Sequence, residues 1–138
     1  MALVIVFLFS ACGVITLGDK NNPIDVSFAL ENIEDFHGKE VYIKCYPVAY
    51  YYYRSFTGDK SYMVFFSDSA SDYCGEIDSI EDAQENWLEV IMHDDDALWK
   101  GVGEVFKNGK ESDDYVLVFR GMKDSTFGYY LDYVEWYS

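Results

Sequence analysis

Residues 39–53 read KEVYIKCYPVAYYYY, and this stretch decides the fold class. Every second side chain from Val41 to Cys45 is apolar, which is the period-two pattern of a strand that buries one face. We predict a strand from residue 39 that ends or bulges at Pro47, because proline has no N–H to donate to a sheet. The side chains of Tyr50 to Tyr53 alternate between the two faces of an extended chain. The stretch therefore predicts a sheet with tyrosines on both faces.

The composition of the whole chain favours the same fold class. Hydrophobic residues make up 50% of the sequence and aromatic residues 19%, with 13 Tyr and 10 Phe beside only 2 Pro. Aromatic side chains suit the pleated, half-buried surface of a sheet. A chain of 138 residues is long enough for one domain with a real core and too short for two comfortable ones. We therefore expect one mainly β domain.

The charge of the chain argues against two classes of partner. The formal net charge is −15, from 25 acidic and 10 basic residues, and every charged residue follows Gly18. Nucleic acids are bound through Lys and Arg, so a surface this negative makes a nucleic-acid partner unexpected. The same charge opposes docking on anionic lipid headgroups. Any attachment to a membrane must therefore come from something other than surface charge.

The first residues have the composition of an export signal. Ala2 to Phe9 is an unbroken run of eight apolar residues, and the first charge appears only at Asp19. A run of this length fits the roughly 7–15 apolar residues of a signal peptide and falls short of the roughly 20 that a membrane-spanning helix needs. The segment is therefore interpreted as a signal rather than as a spanning helix.

The motif Phe9-Ser10-Ala11-Cys12 resembles the lipobox of bacterial lipoproteins, in which the cysteine carries diacylglycerol and becomes the first residue of the mature chain. The resemblance implies a signal peptide at residues 1–11 and a lipid anchor on Cys12, on the extracytoplasmic side of a bacterial envelope membrane. Two other interpretations stay open. One is an uncleaved anchor, since Met1 to Gly18 carries no charge, and the other is a buried first strand with a free core cysteine.

The chain has three cysteines, and a lipid on Cys12 leaves Cys45 and Cys74 as an even pair. An oxidising exterior permits a disulfide between them. The alternative is two reduced thiols that pack as small hydrophobic side chains. Neither cysteine has a neighbouring histidine or cysteine at the spacing of a zinc site.

Several further elements follow from periodicity and turn residues. Ser79 to Asn86 begins with capping-box spacing and predicts one short helix, whereas Val26 to Phe36 is either a helical turn or an irregular lead-in. Gly101 and Gly103 are interpreted as a bend or bulge within a strand. The predicted strands after the tyrosine run are Tyr62 to Phe66, Leu88 to Met92, Leu98 to Phe106, Tyr115 to Phe119 and Tyr129 to Tyr137.

The order of these elements resembles small bacterial lipoproteins with an oligonucleotide/oligosaccharide-binding-like (OB-like) barrel. The residues that carry the resemblance are the Gly38-Lys39-Glu40-Val41 opening, the short helix, the segment Lys100 to Val105 and the final strand. The resemblance implies a small five-stranded OB-like barrel with one short helix at residues 37–138. Residues 12–36 would then form a tether and lead-in. Barrels of this kind have many functions, so the fold alone implies none of them.

The sequence contains no recognisable catalytic motif. His37 and His93 are the only histidines, and neither lies in a metalloprotease, zinc-finger or nucleophile-elbow pattern. The loops that contain Asp68 and Asp94 lack the spacing of a calcium-binding EF-hand. We therefore expect no enzyme activity, no metal and no cofactor. The open alternative is a hydrolase in which His93, followed by three aspartates, acts as a general base.

The most distinctive surface feature is the run of tyrosines. We predict a binding surface at Tyr50, Tyr52 and Trp99, since aromatic rings beside carboxylates suit stacking on a sugar or contact with a protein. The leading hypothesis is a lipid-anchored, non-catalytic module that binds a glycan, a peptide or an envelope protein. The alternative is an acidic immunity or inhibitor-type protein that neutralises a basic partner. The simpler interpretation of the tyrosines is an ordinary strand whose hydroxyls reach water.

Overall fold

The structure is a computed structural model, and it describes residues 7–9, 15–54, 56–109 and 112–137. This part of the chain is mainly β, as the sequence predicts. Its α-helices are α1 (Val26–Glu31), α2 (Glu81–Asn86) and α3 (Ala97–Asn108), with 3-10 turns at Ile33–Phe36 and Ala70–Asp72. Its strands are β1 (Phe7–Phe9), β2 (Ile15–Leu17), β3 (Ile24–Asp25), β4 (Lys39–Arg54), β5 (Lys60–Ser67), β6 (Gly75–Glu76), β7 (Leu88–His93), β8 (Tyr115–Asp124) and β9 (Gly128–Tyr137).

The chain divides into two compact units. The first unit contains Met1–Lys44 and Tyr115–Ser138, and the second contains Cys45–Asp114. Strand β4 starts in the first unit and continues into the second. The described residues contain nine strands and three α-helices, more than the five strands and one helix expected from the sequence.

In the first unit, β1 pairs antiparallel with β2, and both β2 and β3 run parallel to the start of β4. Strands β8 and β9 form an antiparallel hairpin. Val41 and Ile43 are fully buried, which confirms the predicted inward face of β4. The other buried apolar side chains of this unit are Leu17, Val26, Ala29, Phe36, Leu117, Val118 and Phe119.

The segment expected to be a signal peptide contains β1 in this structure. Phe7 to Phe9 pair with Ile15 to Leu17, an arrangement that corresponds to the alternative of a first strand. Cys12, the expected lipidation site, lies outside the described residues. Among the described residues, no helix is long and apolar enough to cross a membrane.

The second unit is built on an antiparallel sheet in the order β4, β5, β7. Pro47 does not end β4, because the ladder shifts register between Pro47 and Ala49 and continues to Arg54. The predicted bulge is therefore confirmed. A core cluster of Val48, Ala49, Phe65 and Ala83 lies on one side of this sheet, and partly buried Tyr46, Tyr51, Met63, Ile77, Ile80 and Trp87 pack against it.

The predicted strand from Leu98 to Phe106 is wrong, because these residues belong to helix α3. Leu98 and Val102 are spaced four residues apart and are both buried, which is the spacing of one helix face. Gly101 and Gly103 obscured the helical spacing in the sequence, since each glycine disfavours a helix by about 1 kcal/mol relative to alanine. Gly109 has a φ of 66° and ends α3, its N–H donating to the carbonyl oxygens of Val105 and Phe106.

The other helical predictions are closer to the structure. Helix α2 ends at Asn86 as expected, but its N-cap is Ile80, which makes no side-chain capping hydrogen bond. Ser79 therefore does not form the expected capping box. Val26 to Phe36 takes the helical alternative, as α1 followed by a 3-10 turn.

Candidate binding site

The tyrosine run divides between the two faces of the second unit's sheet. Tyr52 pairs with Tyr62 across the β4–β5 ladder, and Tyr50 pairs with Val64. Tyr51 pairs with Met63 on the opposite face. This alternation confirms that the tyrosines of β4 do not all belong to one surface.

Helix α3 brings the predicted site residues together in one aromatic cluster, which we define as Tyr50, Tyr52, Tyr62, Trp99 and Phe106. The ring of Tyr62 stacks on that of Trp99 with centroids 3.8 Å apart. Tyr50 lies 4.7 Å from Phe106 and 5.8 Å from Trp99, and Tyr52 lies 5.5 Å from Tyr62. Tyr62 and Phe106 were not predicted as site residues. The sequence analysis assigned Trp99 and Phe106 to a strand and therefore did not place helix α3 against the tyrosines of the sheet.

The rings of the aromatic cluster mostly contact one another. Tyr50 and Trp99 are half-buried, whereas Tyr52 keeps 36% of its surface exposed at the edge of the cluster. An aromatic face that already stacks on another ring has little surface left for a sugar. Of the three predicted residues, Tyr52 is therefore the one best placed to contact a partner.

Two carboxylates accept hydrogen bonds from the cluster. The hydroxyl of Tyr62 donates to Oδ1 of Asp94 at 2.7 Å, and that of Tyr50 donates to Oε2 of Glu76 at 3.5 Å. Burial and the hydrogen bond to Asp94 raise the pKa of Tyr62 to about 12. Burial, followed by the charge of Glu76, also raises the pKa of Tyr50. Both hydroxyls therefore stay protonated, as donors, well above neutral pH.

A pocket of about 420 Å³ lies beside the cluster, and Asp94, which accepts the hydrogen bond from Tyr62, is one of its lining residues. The ends of β5 and β7 meet there, because Ser61 pairs with His93 in the antiparallel ladder. Its lining residues are Asp59, Lys60, His93, Asp94 and Asp95. Three carboxylates against one ammonium group make this a predominantly negative pocket.

The histidine of the pocket is held by hydrogen bonds. Nδ1 of His93 lies 3.1 Å from Oγ of Ser61, which is only 1% exposed. Oδ2 of Asp96 accepts from the backbone N–H of His93 at 2.8 Å, rather than from its imidazole ring. A buried hydroxyl is not accessible to a substrate, and Asp96 does not orient the imidazole. This geometry differs from that of a serine hydrolase triad.

The structure holds Cys45 and Cys74 as free thiols, Cys45 buried and Cys74 exposed. The backbone N–H of Cys74 donates to the carbonyl oxygen of Val48, three residues beyond Cys45 along β4. The parallel pairing of Ala49 with Gly75 likewise places Cys74 beside Val48 rather than beside Cys45. Burial raises the pKa of the Cys45 thiol well above its usual range. In this arrangement the two thiols do not pair.

The described residues contain no group of three or more His, Cys, Asp or Glu side chains arranged to hold a metal ion. The carboxylates of the pocket are therefore considered as charges rather than as metal ligands.

Two exposed apolar side chains of the second unit were missed in the sequence. Ile91 on β7 is 50% exposed, and Phe56 in the turn between β4 and β5 is fully exposed. The exposure of Ile91 could have been predicted from the alternation of β7. Ile91 lies on one face with Glu89 and His93, opposite the buried Val90 and Met92. Phe56 precedes a polar turn sequence, where no partner for its ring is evident.

Comparisons with known proteins give little further information. No protein family and no curated protein matches this sequence. Among solved structures, the chain is similar to OBody AM1L10 bound to hen egg-white lysozyme, with a TM-score of 0.38 and 14% sequence identity. The similarity covers 75% of this chain and 81% of that one. A TM-score at this level carries no argument about fold or function.

Proposed function

We propose that this chain is a non-catalytic binding module, held at a bacterial envelope membrane by a lipid on Cys12, that binds a protein partner through its second unit. The observation that carries the proposal is the position of Tyr52. Its exposed ring lies at the edge of the aromatic cluster, and the neighbouring Tyr62 bonds to Asp94 in the wall of the negative pocket. An exposed aromatic side chain is a common anchor of a protein interface.

The charge of the second unit favours a protein with a basic surface over a glycan. Residues 45–114 contain 16 acidic and five basic side chains, which leaves −11 of the total charge of −15 in this unit. Even if each basic residue paired with one acidic residue, eleven carboxylates would lack a cationic partner within the unit. A neutral sugar has no charge to match this field, whereas a basic protein is steered towards it.

The OB-like barrel is part of the same proposal. The five longest strands are β4, β5, β7, β8 and β9, and α3 follows the third of them, which supports the order implied by the resemblance at residues 37–138. The inserted helix is then α3 rather than α2. Lipidation at Cys12 would remove β1 and leave β2 paired with β4.

A second candidate function is an inhibitor of the immunity type. The concentration of 16 acidic residues in one unit is the observation that favours it, because such a surface can occupy the active site of a basic enzyme. The two functions differ in their effect on the partner. An inhibitor abolishes the activity of the protein it binds, whereas a binding module leaves that activity intact.

The proposal is tested by cross-linking in the cells that naturally carry the full chain. The substitution Tyr52→benzoylphenylalanine places a photoreactive ring at the edge of the aromatic cluster. The matched control is Tyr130→benzoylphenylalanine in the first unit, because Tyr130 has a similar exposure, 40% against 36%. We expect a discrete, protease-sensitive adduct from position 52 that is absent from position 130.

Two results would overturn the proposed function. One is the absence of any specific adduct from position 52. The other is an adduct that resists protease but shifts after digestion with a glycan hydrolase, which would make a glycan the ligand.

A further inference from the structure

The edge of the second unit's sheet at β7 combines three features that lie within a few residues of one another. The order β4, β5, β7 ends at β7, which pairs with β5 alone among the described residues. Ile91 exposes half of its surface on this strand. The negative pocket begins at His93, the last residue of β7.

An edge strand presents backbone N–H and C=O groups that a further strand can pair with. Pairing of this kind gives affinity through the main chain, and the side chains of alternate residues give specificity. The β7 edge has no proline and no register shift, so its ladder admits an added strand along the residues before His93. At His93 the N–H and C=O are already bonded to Asp96. Helix α2 lies near the start of the strand, where Gln84 bonds to Glu89, so the end that contains Ile91 is the more open one.

We propose that the β7 edge binds an extended, basic segment of the protein partner, which pairs with β7 as an additional strand. This inference rests on the proposed function and names the chemistry of its partner. The residue of the segment beside Ile91 is apolar. Two positions along, on the same face, the residue beside His93 is lysine or arginine, and its side chain enters the negative pocket.

Charge complementarity selects this occupant. The second unit carries −11, and the pocket beside β7 has three carboxylates against one ammonium group. A second copy of the chain would bring the same negative charge to the edge and be repelled. An acidic or neutral segment would leave the carboxylates of the pocket without a counter-charge. A volume of about 420 Å³ accommodates one long basic side chain.

The test is a titration of the full chain with a capped octapeptide that repeats Val-Thr-Lys-Thr, in which valine and lysine alternate along one face, monitored by NMR. We expect hydrogen exchange to slow at least tenfold in the complex at those amides of residues 88–92 that point away from β5. Loss of the apolar contact in Ile91→Ser should weaken binding about tenfold. The matched control is Val134→Ser in the first unit, where Val134 is 44% exposed, and it should leave affinity unchanged.

Two peptide controls separate strand addition from simple charge attraction. The same peptide with every backbone nitrogen methylated keeps its charge but has no N–H to donate along either edge, and we expect it to bind at least tenfold more weakly. The same octapeptide with glutamate in place of lysine should not bind.

The inference is overturned if the methylated peptide binds as tightly as the parent, if protection appears away from β7, or if the octapeptide does not bind at all. Its failure is distinguishable from that of the proposed function. A protein adduct from position 52 in cells, together with failure at β7, leaves a binding module that recognises its partner in another way. Loss of that adduct removes the module itself.

Discussion

Replacing Gly121 by alanine is expected to lower the free energy of unfolding by about 3 kcal/mol, because it combines overpacking with a lost hydrogen bond. A Cβ at this position would lie 1.8 Å from the carbonyl oxygen of Phe36 and 2.9 Å from the nitrogen of His37. Both are backbone atoms, so no side-chain rotation relieves the overlap. The carbonyl oxygen of Gly121 also accepts from the N–H of Gly38 at 2.9 Å, a bond that the displaced segment would lose.

The measurement is urea unfolding of the full chain, and Gly103→Ala is the control. The atoms nearest to a Cβ at Gly103 belong to the ring of Trp99, the first at 3.4 Å, and alanine favours a helix by about 1 kcal/mol over glycine. We expect Gly103→Ala to leave stability unchanged or to raise it. Equal destabilisation by the two substitutions would contradict both the close approach at Gly121 and the helical assignment of Gly103.

Replacing Phe65 by alanine is expected to lower the free energy of unfolding by about 3–5 kcal/mol, the usual cost of removing a fully buried ring. Phe65 has no exposed surface and lies in the core cluster with Val48, Ala49 and Ala83. Its loss leaves a cavity between the sheet and the residues that cover it.

Phe56→Ala is the matched control for Phe65→Ala, since both remove a phenylalanine ring from the same unit. Phe56 is fully exposed, so its substitution should change stability by no more than about 0.5 kcal/mol. Thermal and urea unfolding of the two variants measure the difference. A loss of stability in Phe56→Ala comparable to that in Phe65→Ala would show that the turn is packed in solution.

The strands of this protein were predictable because their sequences alternate. Val41 and Ile43 point into the core as predicted, and β5, β7, β8 and β9 fall where apolar or alternating runs occur. Helix α3 was not predicted, because Gly101 and Gly103 interrupt the helical pattern of the sequence. Glycine is also common where strands bend, which favoured the strand interpretation. In the structure, tertiary packing through Leu98 and Val102 outweighs the low helix propensity of the two glycines.

The candidate site was predictable only in part. Alternation correctly assigns Tyr50 and Tyr52 to one face of β4, but a strand pattern does not show what covers that face. Helix α3 places Trp99 against Tyr62 and leaves Tyr52 at the exposed edge. The negative pocket forms where the ends of β5 and β7 meet, at the pair Ser61 and His93, which are 32 residues apart in sequence, so it depends on strand register rather than on any local motif.

We propose that this protein functions outside the cytoplasm, attached through a lipid at residue 12. Intact mass of the protein purified from its native membranes tests this most directly. The expected result is a chain that begins at Cys12 and carries the added mass of diacylglycerol, with both remaining cysteines reduced. Recovery of an unmodified chain that still contains Phe7 to Phe9 would contradict it, and would make β1 a permanent strand of the fold.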